Sequence, residues 1–332
     1  MNHSTSRRNF LAQSAALAAG SATAFSSWAA AAEAFPVKPI RLVVGYPPGQ
    51  TVDSAARAVA LALASSFGTS VYVDNKAGAN GIVGAQDVKQ APADGYTLLF
   101  GTSGQLAINP GIYKKLPYDP LKDLVPISLS GVGRLYLVVP ANSPFNSLTE
   151  LIAYAKANPG KLTYGSGGRG ITAHLAMEML KKQAGIDILH VPYKGSMPAL
   201  TDLIGGRLDL MMDAGGLMLP QITQGKVKAL GVSSKTRFSE LPAVKTIAEQ
   251  GYPAFEVLSW TAAMAPAGTP PNIIAKLNKA FVDAQHHPEV IKAAKASSSD
   301  LQGGTPEEFG KFLVSETRKW RQAAQDAGVE LE

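Results

Sequence analysis

Short aliphatic and β-branched runs alternate with helical patterns along this chain, and that alternation restricts the fold more than any other feature. Ile40-Arg41-Leu42-Val43-Val44 reads as a strand that runs into a turn from Gly45 to Gln50. A periodic Ala, Leu and Val stretch from about Asp53 to Ser66 follows as a helix. Val71-Tyr72-Val73 is the next strand, Gly81 to Gln90 a short helix, and Tyr96 to Phe100 a strand broken by Gly101-Thr102-Ser103-Gly104. Strands separated by helices build βαβ units and a largely parallel sheet.

The pattern restarts at Leu135-Tyr136-Leu137-Val138-Val139, bounded by Pro140. Ser147 and Glu150 have capping-box spacing, each placed to satisfy the other's free backbone N–H at the start of a helix. Strand 161–164, loop Gly165 to Gly170 and helix Ile171 to Gln183 come next. They are followed by strand Ile188 to Val191, helix Met197 to Ile204, and strands Leu208 to Met212 and Ala229 to Val232. Thr269-Pro270 and Thr305-Pro306-Glu307-Glu308 open two C-terminal helices. At 332 residues, with two halves that each begin strand–loop–helix, the chain is expected to form two α/β domains facing a cleft. Crossings at Leu135 to Val139 and Phe255 to Ala265 give domain 1 as residues 35–134 plus 258–332, with domain 2, 135–257, inserted.

Residues 1–34 read as an export signal. Arg7-Arg8-Asn9-Phe10-Leu11 precedes a mildly apolar run that closes at Ala32-Glu33-Ala34, a small-x-small cleavage site. The paired arginines resemble a twin-arginine signal, which places the mature chain in the periplasm. Gln13, Ser14, Gly20 and Ser21 make the run too polar for a comfortable membrane span. The formal charge of +6 is spread without a dense basic stripe, which argues against nucleic acid as a partner. The absence of cysteine removes disulfides, thiolate metal sites and cysteine nucleophiles together.

Chemistry concentrates in the turns that open helices. Pro47-Pro48-Gly49-Gln50-Thr51-Val52-Asp53 lies between a strand and a helix, where free N–H groups and the positive dipole end attract an anion. Asp53 is read there as a cap, since a carboxylate facing an anion would repel it. Gly165-Ser166-Gly167-Gly168-Arg169-Gly170 matches G-x-G-x-x-G, but the acidic residue that should end the next strand is missing; Asp187 stands at that strand's start. A second helix N-terminus holding a small carboxylate, with Ser166 and Thr172 supplying hydroxyls, fits better. His174 reads either as a packing or capping histidine or as a ligand contact. Tyr193-Lys194 ends a strand, where ligands collect in α/β sheets, or forms a solvated turn. Of Asp209 and Asp213, one caps or turns, and Asp213 is the candidate to line the cleft. No metal motif, nucleophile elbow or paired nucleophile and base is found, and neither catalytic residues nor cofactors are expected.

These pieces together resemble the Bug (TctC-like) family, periplasmic solute-binding proteins of tripartite tricarboxylate transporters. The resemblance rests on Pro47 to Arg57, Val73-Asp74-Asn75-Lys76-Ala77-Gly78-Ala79-Asn80-Gly81, Ala93-Asp94-Gly95-Tyr96-Thr97-Leu98, Tyr164-Gly165-Ser166-Gly167 and His190-Val191-Pro192-Tyr193-Lys194-Gly195. It implies an α/β type II periplasmic binding fold, a Venus flytrap of two α/β domains joined by two crossover strands. A carboxylate would be held in a pincer of Gly49 to Val52 and Ser166 to Gly168, with Thr172, His174, Tyr193, Lys194 and Asp213 as additions. Tyr46, Ser103, Leu106, Asn109 and Trp260 would read the rest of the ligand. The family's first loop usually carries a second glycine where this chain has Gln50, so Gln50 is either strained or a specificity contact. The resemblance implies a monomeric, non-enzymatic receptor for a small mono- or dicarboxylate, aliphatic or aromatic, that serves a membrane transporter or a sensor. The rival class is an enzyme acting on a small carboxylate, and a nucleotide binder would need Asp187 in the cleft.

Overall fold

The computed structural model describes residues 35–331; the expected signal, 1–34, lies outside the described residues. In chain order the strands are β1 (Ile40–Val44), β2 (Val71–Asn75), β3 (Thr97–Thr102), β4 (Leu124–Pro140), β5 (Thr163–Ser166), β6 (Leu189–Pro192), β7 (Leu210–Ala214), β8 (Val227–Val232), β9 (Leu258–Pro266) and β10 (Ser299–Leu301). The α-helices are α1 (Thr51–Phe67), α2 (Ile82–Lys89), α3 (Asn109–Ile112), α4 (Leu148–Ala157), α5 (Thr172–Ala184), α6 (Ser196–Ile204), α7 (Gly215–Thr223), α8 (Pro271–Ala284), α9 (Pro288–Ala296) and α10 (Pro306–Asp326).

One long strand organises the sheet. β4 runs antiparallel to β9 from Leu124 to Arg134, and from Leu135 onward it pairs instead with β7 and β8. On one side the order is β2-β1-β3-β9-β4, with β1 parallel to β2 and β3; on the other it is β4-β7-β5-β6, with β5 parallel to β6 and β7. The first half of β4 escapes sequence inspection because Pro126, Ser128, Ser130, Gly131 and Gly133 dilute its apolar signal. Registry with β9 and the short β10 makes it a strand nonetheless.

Helices cover both faces. Ile40, Leu42 and Val44 of β1 are buried with Val52, Ala56, Val59 and Leu63 of α1, whose i, i+4, i+7 spacing turns one apolar stripe inward. Burying each such branched side chain contributes roughly 1.5–3 kcal/mol. A larger core joins β4, β5 and α5 to α10. Trp260 on β9 belongs to it: its indole N–H donates to Glu316 at 2.9 Å, and Trp320 donates to the same carboxylate oxygen at 3.0 Å.

Two local expectations change. Ser147 accepts the Glu150 N–H at 3.2 Å, but Glu150 reaches one residue further back, to the Asn146 N–H at 2.7 Å. The reciprocal box forms at Thr305 and Glu308 instead. The break after β3 is a π-helical turn, Gly104–Ile108, that runs directly into α3. Among the described residues no helix is long and apolar enough to cross a membrane.

Candidate functional site

The first arm is the turn between β1 and α1. Gly49 has φ +85°, a left-handed conformation that suits glycine, whereas Gln50 has φ −78° and ψ 162° and is extended. Gln50 is therefore unstrained; the position that needs glycine is its neighbour. Asp53 does the work expected of a cap, by a different route. From the first turn of α1 its carboxylate accepts the Gly49 N–H at 2.9 Å, Arg57 Nε at 3.0 Å and Asn75 Nδ2 at 2.9 Å. Burial would raise Asp53, but Arg57, the Gly49 amide and Asn75 outweigh it and hold the carboxyl below its ordinary range. With that charge neutralised by Arg57, the first-turn N–H groups beside it, at Thr51 and Val52, remain suited to an anion. Asn75 also donates to the Tyr46 carbonyl at 3.0 Å, which pins the start of the loop.

Tyr46 lies partly buried beside this arm, its hydroxyl 3.0 Å from Thr102 Oγ1 and 3.4 Å from Asn80 Oδ1. Burial pushes its phenol up to about 12. Behind it Gln105 Nε2 donates to the Gly81 carbonyl at 2.8 Å, and Asn109 is fully buried between Asn80 and Tyr118. Leu106, Asn109 and Trp260 are all buried in the interior. Thr102 and Asn80 share the polar neighbourhood of the Tyr46 hydroxyl.

The second arm follows β5. Ser166 is fully buried; its hydroxyl donates to the Gly168 carbonyl at 2.9 Å and lies 2.7 Å from His190 Nε2. Parallel pairing of β5 with β6 puts Tyr164 opposite His190 and so brings the histidine to the arm. A nucleophile-type hydroxyl and an imidazole therefore do meet, contrary to the reading that no such pair exists. However, the serine is enclosed and committed to its own loop, and among the described residues no carboxylate hydrogen-bonds to the other ring nitrogen. His174, in the first turn of α5, accepts the Gly170 N–H on Nδ1 at 3.0 Å and stacks on His190 with ring centroids 4.0 Å apart. Tyr164 stacks on His190 as well, at 4.7 Å, and lies 6.4 Å from His174. Burial, reinforced by the nearby charges of Arg169 and Lys181, pushes His174 down to about 3 and His190 to about 4. Both rings are neutral at pH 7, and their work is to hold the loop.

Gly167 has no room for a side chain, because a Cβ there would stand 2.7 Å from Ser196 Oγ. Gly168 has φ +149°. Tyr193 continues the arm through its N–H to the Ser166 carbonyl at 2.9 Å, while its hydroxyl donates to Asp202 at 2.7 Å. Lys194 is exposed. Asp209 ties down the start of β5, accepting Thr163 N–H at 2.7 Å and Oγ1 at 2.9 Å, while Asp213 is buried at the far end of β7. Asp187 stands at the opposite end of β6 from the loop.

Each arm's helix is approached by a residue from the other half of the sheet. Ser103 Oγ lies 3.5 Å from Thr172 Oγ1, and Thr51 Oγ1 lies 3.1 Å from where a Cβ on Gly216 would stand. Among the described residues, no group of three or more His, Asp or Glu is placed to hold a metal ion.

Comparison with known proteins agrees with this architecture. A family model described as "Tripartite tricarboxylate transporter family receptor" matches residues 55–329. BugT of Bordetella pertussis is 37% identical over 311 residues, covering 93% of this chain and 95% of its own. Rpa4515 of R. palustris, solved with adipate, is 34% identical with a TM-score of 0.81, covering 89% of this chain and 99% of that one. MatC of Rhodopseudomonas palustris, solved with bound malate, is 29% identical with a TM-score of 0.77, over 87% and 99%. The type II periplasmic binding fold expected from the sequence is thus the fold observed, and the chain belongs to the TctC family of tripartite tricarboxylate transporter receptors.

Proposed function

We propose that this protein is a periplasmic receptor that captures a small organic carboxylate between two domains, 35–134 plus 258–332 and 135–257, and presents it to a tripartite-type membrane transporter or to a sensor. The carrying observation is that Tyr46, at the start of the first turn, touches Thr102, while the next residue, Ser103, lies 3.5 Å from Thr172 at the start of α5. Thr51 and Val52 on one side and Gly167 on the other supply neutral backbone donors, while the Gly168 N–H is spent on the Ser166 hydroxyl at 3.3 Å. Ser103 and Thr172 supply hydroxyls, and Tyr46 closes one flank. Neutral donors hold an anion reversibly, as a delivery protein requires.

Relatives solved with adipate and with malate support a carboxylate as the ligand. The protein acts as a monomer and catalyses nothing; the locked hydroxyl of Ser166 supports a binding rather than a chemical role. Export uses the twin-arginine signal, cleaved near Ala34.

Thermal melting of the mature chain tests this against C4 to C6 dicarboxylates, tricarboxylates, nicotinate and benzene carboxylates, with NAD as control. A ligand at 100 times its Kd adds about 2.7 kcal/mol and raises Tm by several degrees. Silence across all carboxylates would sink the proposal, and a shift with NAD alone would favour a nucleotide site at Gly165 to Gly170.

A further inference from the structure

Asp213 is the buried charge that the carboxylate pincer leaves unexplained. It is only 8% exposed, and one carboxylate oxygen is committed to the Ala214 N–H at 2.7 Å while Oδ2 is enclosed without a hydrogen-bond partner. The Ser196 hydroxyl is close enough to favour the ionised form without the alignment of a hydrogen bond. Burial nevertheless raises this carboxyl above its ordinary range. An orphaned acceptor of this kind costs stability and calls for a donor from elsewhere.

Its position says where that donor would come from. β5 and β7 are parallel neighbours whose last recorded rung is Gly165 opposite Met211. Two residues further on, at the carboxyl ends where ligands collect in such sheets, stand Gly167 and Asp213. Adjacent strands are about 4.8 Å apart, so the backbone of Asp213 lies beside the end of β5 from which the second arm starts. Ser196 touches both, packing against Gly167 and neighbouring Asp213. On the other side Gly216, three residues beyond, meets Thr51 of the first arm. In its ionised form Asp213 would meet a bare carboxylate in the pincer with a like charge, whereas a hydroxyl or amine on the adjacent carbon would offer the unpartnered Oδ2 a donor.

We propose that Asp213 Oδ2 accepts a hydrogen bond from a hydroxyl or amino group on the carbon next to the bound carboxylate, which makes the protein selective for 2-hydroxy or 2-amino acids over their unsubstituted counterparts. This rests on the carboxylate reading given above. The test uses pairs that differ only at that carbon: malate or aspartate against succinate, lactate against propionate, mandelate against phenylacetate. Affinities are measured by calorimetry on the mature wild-type protein and on Asp213→Asn.

In at least one pair the substituted acid should bind the wild type roughly tenfold or more tightly than its partner, the scale of a hydrogen bond to a charged acceptor. Asp213→Asn should shrink that ratio to about threefold or less, chiefly by strengthening the unsubstituted acid as the like charge disappears. Equal binding within every pair by the wild type overturns the proposal while leaving a carboxylate receptor intact. So does a ratio unchanged in Asp213→Asn. Should the variant not fold, the wild-type ratios alone decide. Binding of no carboxylate at all overturns the receptor reading itself.

Discussion

The hydroxyls of Ser103 and Thr172 stand 3.5 Å apart although 69 residues separate them in sequence. Ser103 follows β3, which is joined to the first half of the long β4 through β9; Thr172 opens α5, on the side of the sheet that pairs with the second half of β4. Their proximity therefore measures how near the two halves of the sheet bring their loops. In a double-mutant cycle, Ser103→Ala and Thr172→Ala should couple by about 0.5–1 kcal/mol in unfolding free energy, the net worth of one neutral hydrogen bond. Additive effects would mean that the sides stand apart in solution.

Gly49 and its neighbour should respond in opposite ways. Gly49→Ala must place an L side chain at φ +85°, and since nothing lies within 4 Å of the added Cβ, the cost is conformational, about 1–2 kcal/mol. Gln50→Gly should change stability by no more than a few tenths of a kcal/mol, because the helix N-cap tolerates glycine and Gln50 is already extended. Urea denaturation of the two variants checks both. An equal loss would mean that residue 50 carries an unseen constraint.

The histidine stack predicts acid sensitivity. His174 and His190 have folded-state values near 3 and 4, below the ordinary value of 6.5, so the unfolded chain binds protons first as pH falls. Their contribution is fully present above about pH 6.5 and is lost progressively between there and about pH 4 for His190 and about pH 3 for His174. The slope is up to about 1.4 kcal/mol per pH unit for each histidine. Denaturation midpoints measured from pH 7.5 to 4 should fall along this course. His174→Gln should flatten it, and an unchanged profile in that variant would show that the loss arises elsewhere.

Glu316 serves two indoles at once. Glu316→Ala leaves the buried N–H groups of Trp260 and Trp320 without an acceptor, and should cost roughly 2–4 kcal/mol together with a change in tryptophan fluorescence. Glu316→Gln, which keeps a carbonyl acceptor, should cost less. Because this pair lies in the core, carboxylates that bind in the cleft should shift the melting temperature without quenching either indole strongly.

Local chemistry was readable where the cause was local. The aliphatic run of β1, the period of α1, the capping residues Ser147 and Thr305, and the two glycine-bearing turns are decided within a few neighbouring residues, and they appear where the sequence puts them. The alternation of strand and helix dictated an α/β chain for the same reason: each element must bury one face, and only layered packing does so.

What depended on distant partners was not readable. The first half of β4 becomes a strand because β9 and β10 complete its hydrogen bonds, and Gln50 escapes strain because Gly49 alone takes the left-handed turn. Ser166 meets His190 through parallel pairing across a helix, while Trp260 and Asn109, aromatic and polar enough to read as ligand contacts, are drawn into the interior by Glu316, Tyr118 and Asn80. Sequence by itself determined which segments are strands, helices and anion-suited turns, since those choices follow from short-range sterics and hydrogen bonding. Tertiary structure alone decided which polar groups were satisfied by one another and which, like Asp213, were left with an open valence, because that depends on which strand ends pack side by side.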